Sequence, residues 1–238
     1  MICQCRGAII DIPTLKKHVV FLAKAGIKPL LAGTMGEGIH LSNSDRIALI
    51  KATREALDEI GFTGVPIIVG TGAGSTRETI QLSKSAAEAG ADYVIVITPG
   101  YFAGALAGNR VALKAFFTEV AEKSPIPVII YNCGFIPGCC KSSQSADDLT
   151  LVPGASGGID LDSDLILEIA KGSPNTVGVK LTYVEFHRGP GNLWVRADFT
   201  LGVETLESKR GSARLFLIPP LCRISPGVFP LPMFLSSS

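Results

Sequence analysis

The chain has 238 residues, of which 47% are hydrophobic, enough to form the core of one large α/β domain or of two small ones. Lysine and arginine together number 22 and aspartate and glutamate 21, so no charge surplus indicates a nucleic acid or an acidic membrane as partner. We therefore expect the partner to be a small molecule or another protein chain, with no nucleic acid and no membrane.

The cysteines and the N-terminal segment bear on metal binding and on the location of the protein in the cell. No C-x-x-C or H-x-x-x-H motif accompanies the cysteines, so they indicate reduced thiols, and no metal or cofactor is expected. No apolar run approaches the ~18 residues that a membrane helix requires, and MICQCRGAII contains no long apolar region typical of a secretory signal. The sequence favours the cytoplasm, with the mitochondrion as the alternative. The six cysteines are Cys3, Cys5, Cys133, Cys139, Cys140 and Cys222.

Between residues 12 and 182 the chain alternates between helical periodicity and short apolar runs. A predicted helix at 12–25 is followed by the strand KPLLAG. Ser42 is the expected N-cap of a second helix at 43–60, with Asp45 at the third helical position. The other predicted elements are strand 65–71, helix 75–89, strand 93–99, helix 110–123, strand 127–132, helix 162–171 and the strand VGVKLT.

Five predicted strands thus alternate with five helices, which is typical of βα units and a parallel sheet. The strands are continuous Val, Ile and Leu runs, as expected of strands covered on both faces. Each strand ends in residues suited to chemistry, namely GTMGE, GTGAG, TPGY, YN and KLT. Such residues cluster at the strand C-terminal ends in a TIM barrel. We predict a (β/α)8 TIM barrel, with a doubly wound sheet as the structural alternative.

The predicted barrel is partial, because strand 1 and strands 7–8 are not recognisable. Residues at about 133–155 form an atypical insertion without clear period, whereas most βα loops have about 2–6 residues. Residues 183–238 mix prolines and hydrophobic residues without helix or strand period. We expect one partial barrel domain over residues 1–182, interrupted by this insertion and followed by an irregular tail.

Lys180 lies near the C-terminal end of the strand VGVKLT. A lysine at a strand end is most often a solvated charge. At the rim of an apolar barrel interior its amine loses solvation, which lowers its pKa and makes the neutral nucleophile available for a Schiff base. Tyr131 ends the preceding strand, and its phenol can donate and accept the protons of that chemistry. The alternative role for Tyr131 is an aromatic cap on the barrel.

Two glycine-rich stretches follow strands. In GTMGE (33–37), glycines let the backbone approach a ligand closely and offer N–H groups to a carboxylate, although an ordinary tight turn explains the same residues. GTGAGST (70–76) follows a strand and opens a helix, as a nucleotide-binding loop does. The dinucleotide fingerprint requires glycine at its sixth place, where this chain has Ser75, so cofactor binding is the weaker interpretation.

Together these residues resemble the dihydrodipicolinate synthase / N-acetylneuraminate lyase family of class I aldolases. The resemblance runs over GTMGEGIHLSNSDR, VPIIVGTGAGSTRETIQLSKSAAEAGADYVIVITPGYF, PIPVIIYN and NTVGVKLT. It implies a (β/α)8 barrel, usually a homotetramer, that binds pyruvate or another 2-oxo acid as an imine on Lys180. It also implies that Tyr131 is the general acid/base and that Thr34 and Tyr101 relay protons, Tyr101 at a neighbouring subunit's site. The carboxylate would be held by the backbone of Gly33, Thr34, Met35 and Gly36.

Two departures from the family pattern bear on the substrate. Met35 stands where the family commonly has a second hydroxyl or amide residue. The arginine that dihydrodipicolinate synthases carry after YN, which would hold the second substrate's carboxylate, is absent from CGFIPG. A 4-hydroxy-2-oxoglutarate aldolase or a 2-keto-3-deoxy sugar-acid aldolase is therefore favoured over dihydrodipicolinate synthase itself. The expected small-molecule partners are a 2-oxo acid and an aldehyde.

Other classes of explanation stay open. The missing strands are also explained by a catalytically inactive, truncated remnant, and all of the breaks by an unspliced intron or an incorrect gene model. A nucleotide-binding doubly wound domain is a further hypothesis, which depends on GTGAG alone.

Overall fold

The computed structural model describes residues 10–133 and 156–181, together with the backbone of four short strands further along the chain. All five predicted helices and all five predicted strands are present, and the structure adds the single-turn helix α4. The elements are α1 (Ile12–Lys24), β1 (Leu30–Leu31), α2 (Asn43–Glu59), β2 (Ile68–Gly70), α3 (Thr76–Glu88), β3 (Tyr93–Ile97), α4 (Ala103–Leu106), α5 (Arg110–Lys123), β4 (Val128–Asn132), α6 (Ser163–Gly172), β5 (Thr176–Leu181), β6 (Arg188–Gly189), β7 (Asn192–Leu193), β8 (Gly202–Thr205) and β9 (Leu215–Phe216).

Side-chain caps begin the helices where the sequence predicts them. At the start of α2, the Ser42 hydroxyl accepts a hydrogen bond from the Asp45 N–H (3.1 Å), and the Asp45 carboxylate accepts one from the Ser42 N–H (3.0 Å). At the start of α3, the Ser75 hydroxyl accepts from the Glu78 N–H at 3.2 Å. Caps of this kind stabilise a helix by about 1 kcal/mol, so these helix starts are determined locally.

The strands β1 to β5 form a parallel sheet in sequential order, each pairing with the next. The predicted parallel α/β sheet is confirmed. A doubly wound sheet reverses its strand order at a switch point, and the five parallel strands described here have no such reversal. The order is therefore that of a barrel wall.

Beyond β5 the pairing becomes antiparallel. β8 pairs with β5, placing Thr205 opposite Gly178 and Val203 opposite Lys180, and β9 pairs with β8. Four short strands are described within residues 183–238, and strands of two to four residues are too short to show a recognisable period in the sequence. Pairing with β8 covers the edge of β5, which would otherwise be open. The sequence predicts no recognisable strand 1 before α1. Residues 1–9, where that strand would lie, are outside the described residues.

Both faces of the sheet are apolar. One face, with Val94, Val96 and Ile130, belongs to a large core shared with the helices. The opposite face carries Ile68, Ile95 and Ile129 in a second, smaller cluster, which is the interior of the partial barrel and ends with Tyr131 and Cys133. No helix within the described residues is long and apolar enough to cross a membrane.

Buried side chains join the two described segments across residues 134–155. The Asn132 amide donates to an oxygen of Asp160 at 2.8 Å and to the Leu161 carbonyl at 2.9 Å, and its oxygen accepts from the Leu161 N–H at 3.0 Å. The Ser156 hydroxyl donates to the Cys133 carbonyl at 2.6 Å. The chain therefore leaves and re-enters the described fold at adjacent points. The predicted insertion itself, apart from Cys133, lies outside the described residues.

Candidate active site

Lys180 and Tyr131 lie side by side at the C-terminal ends of neighbouring strands. They are register partners in the parallel pair β4 and β5. The Lys180 Nζ lies 3.8 Å from the centroid of the Tyr131 ring, and the two residues are only 7% and 6% exposed. The structure thus places the two residues predicted at neighbouring strand ends next to each other, with the amine over the aromatic face.

Burial changes the acidity of the Lys180 amine. Loss of solvation lowers the pKa of Lys180 to about 8, and the charge of the nearby Cys133 side chain opposes the shift to a smaller extent. The ring of Tyr131 favours the ammonium form through a cation–π contact, but burial dominates. Near neutral pH a substantial fraction of the amine is therefore uncharged and nucleophilic.

The Tyr131 phenol is held in its protonated form. Burial raises its pKa, as do the charge of Cys133 and a hydrogen bond with it, whereas a hydrogen bond with Thr34 lowers the pKa. A protonated phenol next to an amine can donate a proton to a departing oxygen and recover it later. The structure thus brings three of the predicted site residues, Lys180, Tyr131 and Thr34, into one group.

The turn after β1 supplies backbone N–H groups close to this group. The Gly36 and Gly38 N–H groups both donate to the Gly33 carbonyl at 3.0 Å, which closes a tight turn. Within the described part of the chain, the Thr34 and Met35 N–H groups donate no hydrogen bond. These two N–H groups are available to an anion, while the Met35 side chain is 57% exposed.

Tyr101, the fourth predicted catalytic residue, lies apart from the others. Its side chain is 84% exposed and packs edge to face against Phe102, with the ring centroids 4.8 Å apart. Within one chain it therefore lies outside the buried Lys180–Tyr131 pair.

Cys133 is a site residue that the sequence reasoning missed. It is 1% exposed and belongs to the same apolar cluster as Tyr131. Its position two residues after Tyr131 in an extended segment places both side chains on one face, a signal that could have found it. Within the described residues no group of three or more His, Cys, Asp or Glu side chains is arranged to hold a metal ion.

Side chains at the start of α3 make hydrogen bonds beside the GTGAG loop (70–74). The Ala73 N–H donates to the Thr79 hydroxyl at 3.2 Å, and the Ser75 hydroxyl is used as the cap of α3. A Cβ on Gly72 would lie 2.8 Å from Cγ2 of Ile97, so this glycine permits close packing between strand ends. The packing against Ile97 explains Gly72 without a nucleotide.

A comparison with known protein families identifies the family to which the chain belongs. Residues 6–157, more than half of the chain, match the model of the dihydrodipicolinate synthetase family. The chain belongs to the dihydrodipicolinate synthetase family. The resemblance inferred from the motifs is thereby confirmed. The TIM-barrel fold class is confirmed as well, and the described parallel sheet is a part of such a barrel.

Two curated relatives are 44% identical to the chain over 174 residues, or 73% of its length. They are "Probable 4-hydroxy-2-oxoglutarate aldolase, mitochondrial" of Emericella nidulans and "L-threo-3-deoxy-hexylosonate aldolase" of Aspergillus niger, of which 49% and 46% are covered. Dihydrodipicolinate synthase from Acinetobacter baumannii, solved in complex with pyruvate, matches with a TM-score of 0.57 at 31% identity, over 72% of this chain and 50% of that one. The chain thus spans about half the length of these three proteins.

Proposed function

We propose that the chain is a Schiff-base-forming aldolase that acts on pyruvate or a related 2-oxo acid. The observation that carries the proposal is the Lys180 amine, buried against the Tyr131 ring with a pKa of about 8. The names of the E. nidulans and A. niger relatives support a 4-hydroxy-2-oxoglutarate or 2-keto-3-deoxy sugar-acid substrate. The pyruvate complex of the A. baumannii protein supports a 2-oxo acid as the imine partner.

In the cleavage direction, imine formation comes first. The neutral Nζ of Lys180 attacks the C2 carbonyl, and a proton moves from nitrogen to oxygen to give a carbinolamine. Tyr131 then donates its phenolic proton to the C2 hydroxyl, which leaves as water, and a protonated imine and a phenolate remain. The raised pKa of Tyr131 keeps it protonated for this step.

Carbon–carbon cleavage uses the phenolate. The Tyr131 oxygen takes the proton of the C4 hydroxyl as the C3–C4 bond breaks, and the electron pair of that bond moves into the imine to give an enamine. The aldehyde leaves. Tyr131 then protonates the enamine at C3 and becomes a phenolate again. Water adds to the resulting imine, and its proton returns to the phenolate. The carbinolamine formed in this way releases the 2-oxo acid and the Lys180 amine.

Three further roles belong to the proposal. The Thr34 hydroxyl, hydrogen-bonded with Tyr131, relays protons between the phenol and the substrate. The N–H groups of Thr34 and Met35, in the turn from Gly33 to Gly36, hold the substrate carboxylate. Tyr101 completes the relay from a second copy of the chain, because its exposed ring lies outside its own site. The proposal therefore includes a homo-oligomer, a tetramer as the family resemblance implies.

Reduction of the imine tests the proposal directly. The protein is incubated with pyruvate and borohydride, and the peptide that contains Lys180 is analysed by mass spectrometry for the reduced pyruvate adduct. The matched control is Lys180→Arg, which keeps the charge but forms no imine. We expect an adduct on Lys180 in the wild type and none in the variant. Well-folded protein without an adduct would contradict the aldolase proposal.

An inactive remnant is the competing proposal, and one observation favours it. The partner of β5 beyond the parallel sheet is the antiparallel β8, whereas every neighbouring strand in a complete TIM barrel is parallel. If this explanation holds, the chain forms no adduct and shows no cooperative unfolding transition.

The location of the protein in the cell stays a prediction. We propose the cytoplasm or the mitochondrion, and the name of the E. nidulans relative favours the mitochondrion. Fluorescence imaging of a tagged full-length protein against a mitochondrial marker distinguishes the two.

A further inference from the structure

Helix α2 carries two arginines that are eight residues apart, and each donates to two backbone carbonyls. Arg46 donates through Nη1 to the Gly70 carbonyl at 2.6 Å and through Nη2 to the Gly38 carbonyl. Arg54, just over two helical turns later, donates to the carbonyls of Val65 and Gly90 at 3.2 and 3.1 Å. The first arginine reaches the C-terminal end of β2, and the second reaches residues that precede β2 and β3.

The two carbonyls held by Arg46 enclose the turn of the candidate site. Gly38 follows the turn that begins at Gly33, and Gly70 is the last residue of β2. The Ala32 carbonyl lies between them so closely that a Cβ on either Gly38 or Gly70 would come within 2.1 Å of its oxygen. Only glycine fits at these two positions, and the turn is held against the end of β2.

The backbone is strained just before this turn and again near its end. Ala32 and Glu37 have φ angles of 51° and 54°, in the left-handed region that non-glycine residues rarely adopt. Such residues keep this conformation when the surrounding contacts impose it. The two carbonyl contacts of Arg46 are contacts of that kind.

Arg46 is desolvated without a carboxylate in contact. It is 7% exposed, and burial lowers its pKa, while the charge of Glu78 opposes that shift. Among the described residues its Nε has no hydrogen-bond partner. A planar guanidinium can donate to two separate carbonyls at once. A lysine ammonium in the same place can hold at most one of these two carbonyls in a fixed geometry.

We propose that Arg46 is a positioning residue for the substrate carboxylate. It fixes the turn whose Thr34 and Met35 N–H groups receive that carboxylate and whose Thr34 hydroxyl contacts Tyr131. This inference rests on the proposed function. Arg54 is the matched control, because it makes the same kind of contact and a 2.5 Å ion pair with Asp92, but at the opposite end of the sheet.

The experiment compares Arg46→Lys with Arg54→Lys by borohydride trapping across a range of pyruvate concentrations. For Arg46→Lys we expect the pyruvate concentration at half-maximal labelling to rise about tenfold, the effect of losing one charged hydrogen bond. Acetone has the carbonyl but no carboxylate, so the acetone concentration at half-maximal labelling should be unchanged. Arg54→Lys should lower the thermal unfolding midpoint without changing the selectivity for pyruvate over acetone.

Gly38→Ala is a second variant that does not depend on the folding of Arg46→Lys. It forces the Gly38 carbonyl away from Arg46 and should reproduce the pyruvate-selective loss. This inference alone would be overturned if the wild type is labelled and the pyruvate dependence is unchanged in both Arg46→Lys and Gly38→Ala. An equal pyruvate-selective loss in Arg54→Lys would also overturn it. Absence of labelling in the wild type would overturn the proposed function and this inference with it.

Discussion

Val177 and Val179 pack on opposite faces of the sheet although they are only two residues apart in one strand. Val177 contacts the barrel-interior cluster, whereas Val179 belongs to the core beneath the helices. Residues two apart in a regular strand share a face, so a β-bulge must intervene. The register shows it, since Val128 and Ile129 pair with Thr176 and Gly178 and leave Val177 as the extra residue. The bulge turns Lys180 into the barrel interior.

Deletion of Gly178 tests this account of the strand. The six residues of β5 face the five residues of β4, so the deletion leaves two strands of equal length. We expect Lys180 to remain opposite Tyr131 and pyruvate trapping to persist. Insertion of one alanine between Val179 and Lys180 is the control, because it turns the lysine outward and should abolish trapping. Loss of trapping in both variants, with folding retained, would contradict the bulge as the cause of the lysine's orientation.

The pH dependence of imine formation follows from the acidity of Lys180. With a pKa of about 8, about 10% of the amine is neutral at pH 7, compared with ~0.03% at the ordinary value of 10.5. We therefore expect the initial rate of pyruvate trapping to rise with pH and to level off above a midpoint near 8. A midpoint near 10 would show that the amine is solvated in solution.

The same shift predicts how Lys180 affects stability. The folded-state pKa of about 8 lies below the unfolded value of 10.5, so the unfolded chain binds the proton more tightly. The resulting destabilisation is complete below pH 8 and disappears as pH rises towards 10.5. Lys180→Met should therefore raise the free energy of unfolding at pH 7 by on the order of 2–3 kcal/mol, as measured by urea titration.

This gain should shrink between pH 8 and pH 9.5. Lys171→Met is the matched control, because Lys171 is an exposed lysine at the end of α6, and it should change the stability little at any pH. A gain from Lys180→Met that does not depend on pH would indicate a packing effect instead.

Local features made much of this fold predictable. Caps such as Ser42 and continuous apolar runs determine where helices and strands lie. Lys180 and Tyr131, predicted at the ends of neighbouring strands, lie side by side in the structure. Gly178 between two valines is a sequence signal for a bulge that the sequence analysis did not use, although it does not say which residue of the strand is the extra one. The contacts of Arg46 with two distant carbonyls and the antiparallel partner of β5 depend on tertiary structure, which local pattern does not encode.

Tyr131→Phe separates the phenol from the ring. The phenyl ring keeps the apolar cluster and the face over which the Lys180 amine lies, so the burial that lowers the lysine pKa persists. We expect the pH midpoint of trapping to stay near 8 and carbon–carbon cleavage to fall by about 10²–10⁴-fold, the usual contribution of a general acid/base. Cleavage is measured as release of pyruvate from a 4-hydroxy-2-oxo acid.

Tyr93→Phe is the control for that variant. Tyr93 packs against the same cluster but begins β3, at the end of the sheet opposite Lys180. Its loss of a hydroxyl should leave cleavage unchanged. Equal rates in Tyr131→Phe and the wild type would remove the phenol from the mechanism.

Replacement of residues 134–155 by a short glycine linker tests whether the predicted insertion is dispensable. The two ends of this segment are already adjacent, because the Ser156 hydroxyl contacts the Cys133 carbonyl at 2.6 Å. A short linker can therefore span them without moving β4 or α6. We expect the shortened chain to keep its thermal unfolding midpoint within a few degrees and to trap pyruvate on Lys180.

The contacts of Asn132 provide the control for this deletion. Its amide makes three hydrogen bonds to Asp160 and Leu161, so Asn132→Ala should lower the free energy of unfolding by about 1–3 kcal/mol. The loss should be equal in the full-length and the shortened chain, because the contacts lie outside the deleted segment. If deletion abolishes cooperative unfolding while Asn132→Ala has little effect, residues 134–155 hold the fold together and are not an insertion into it.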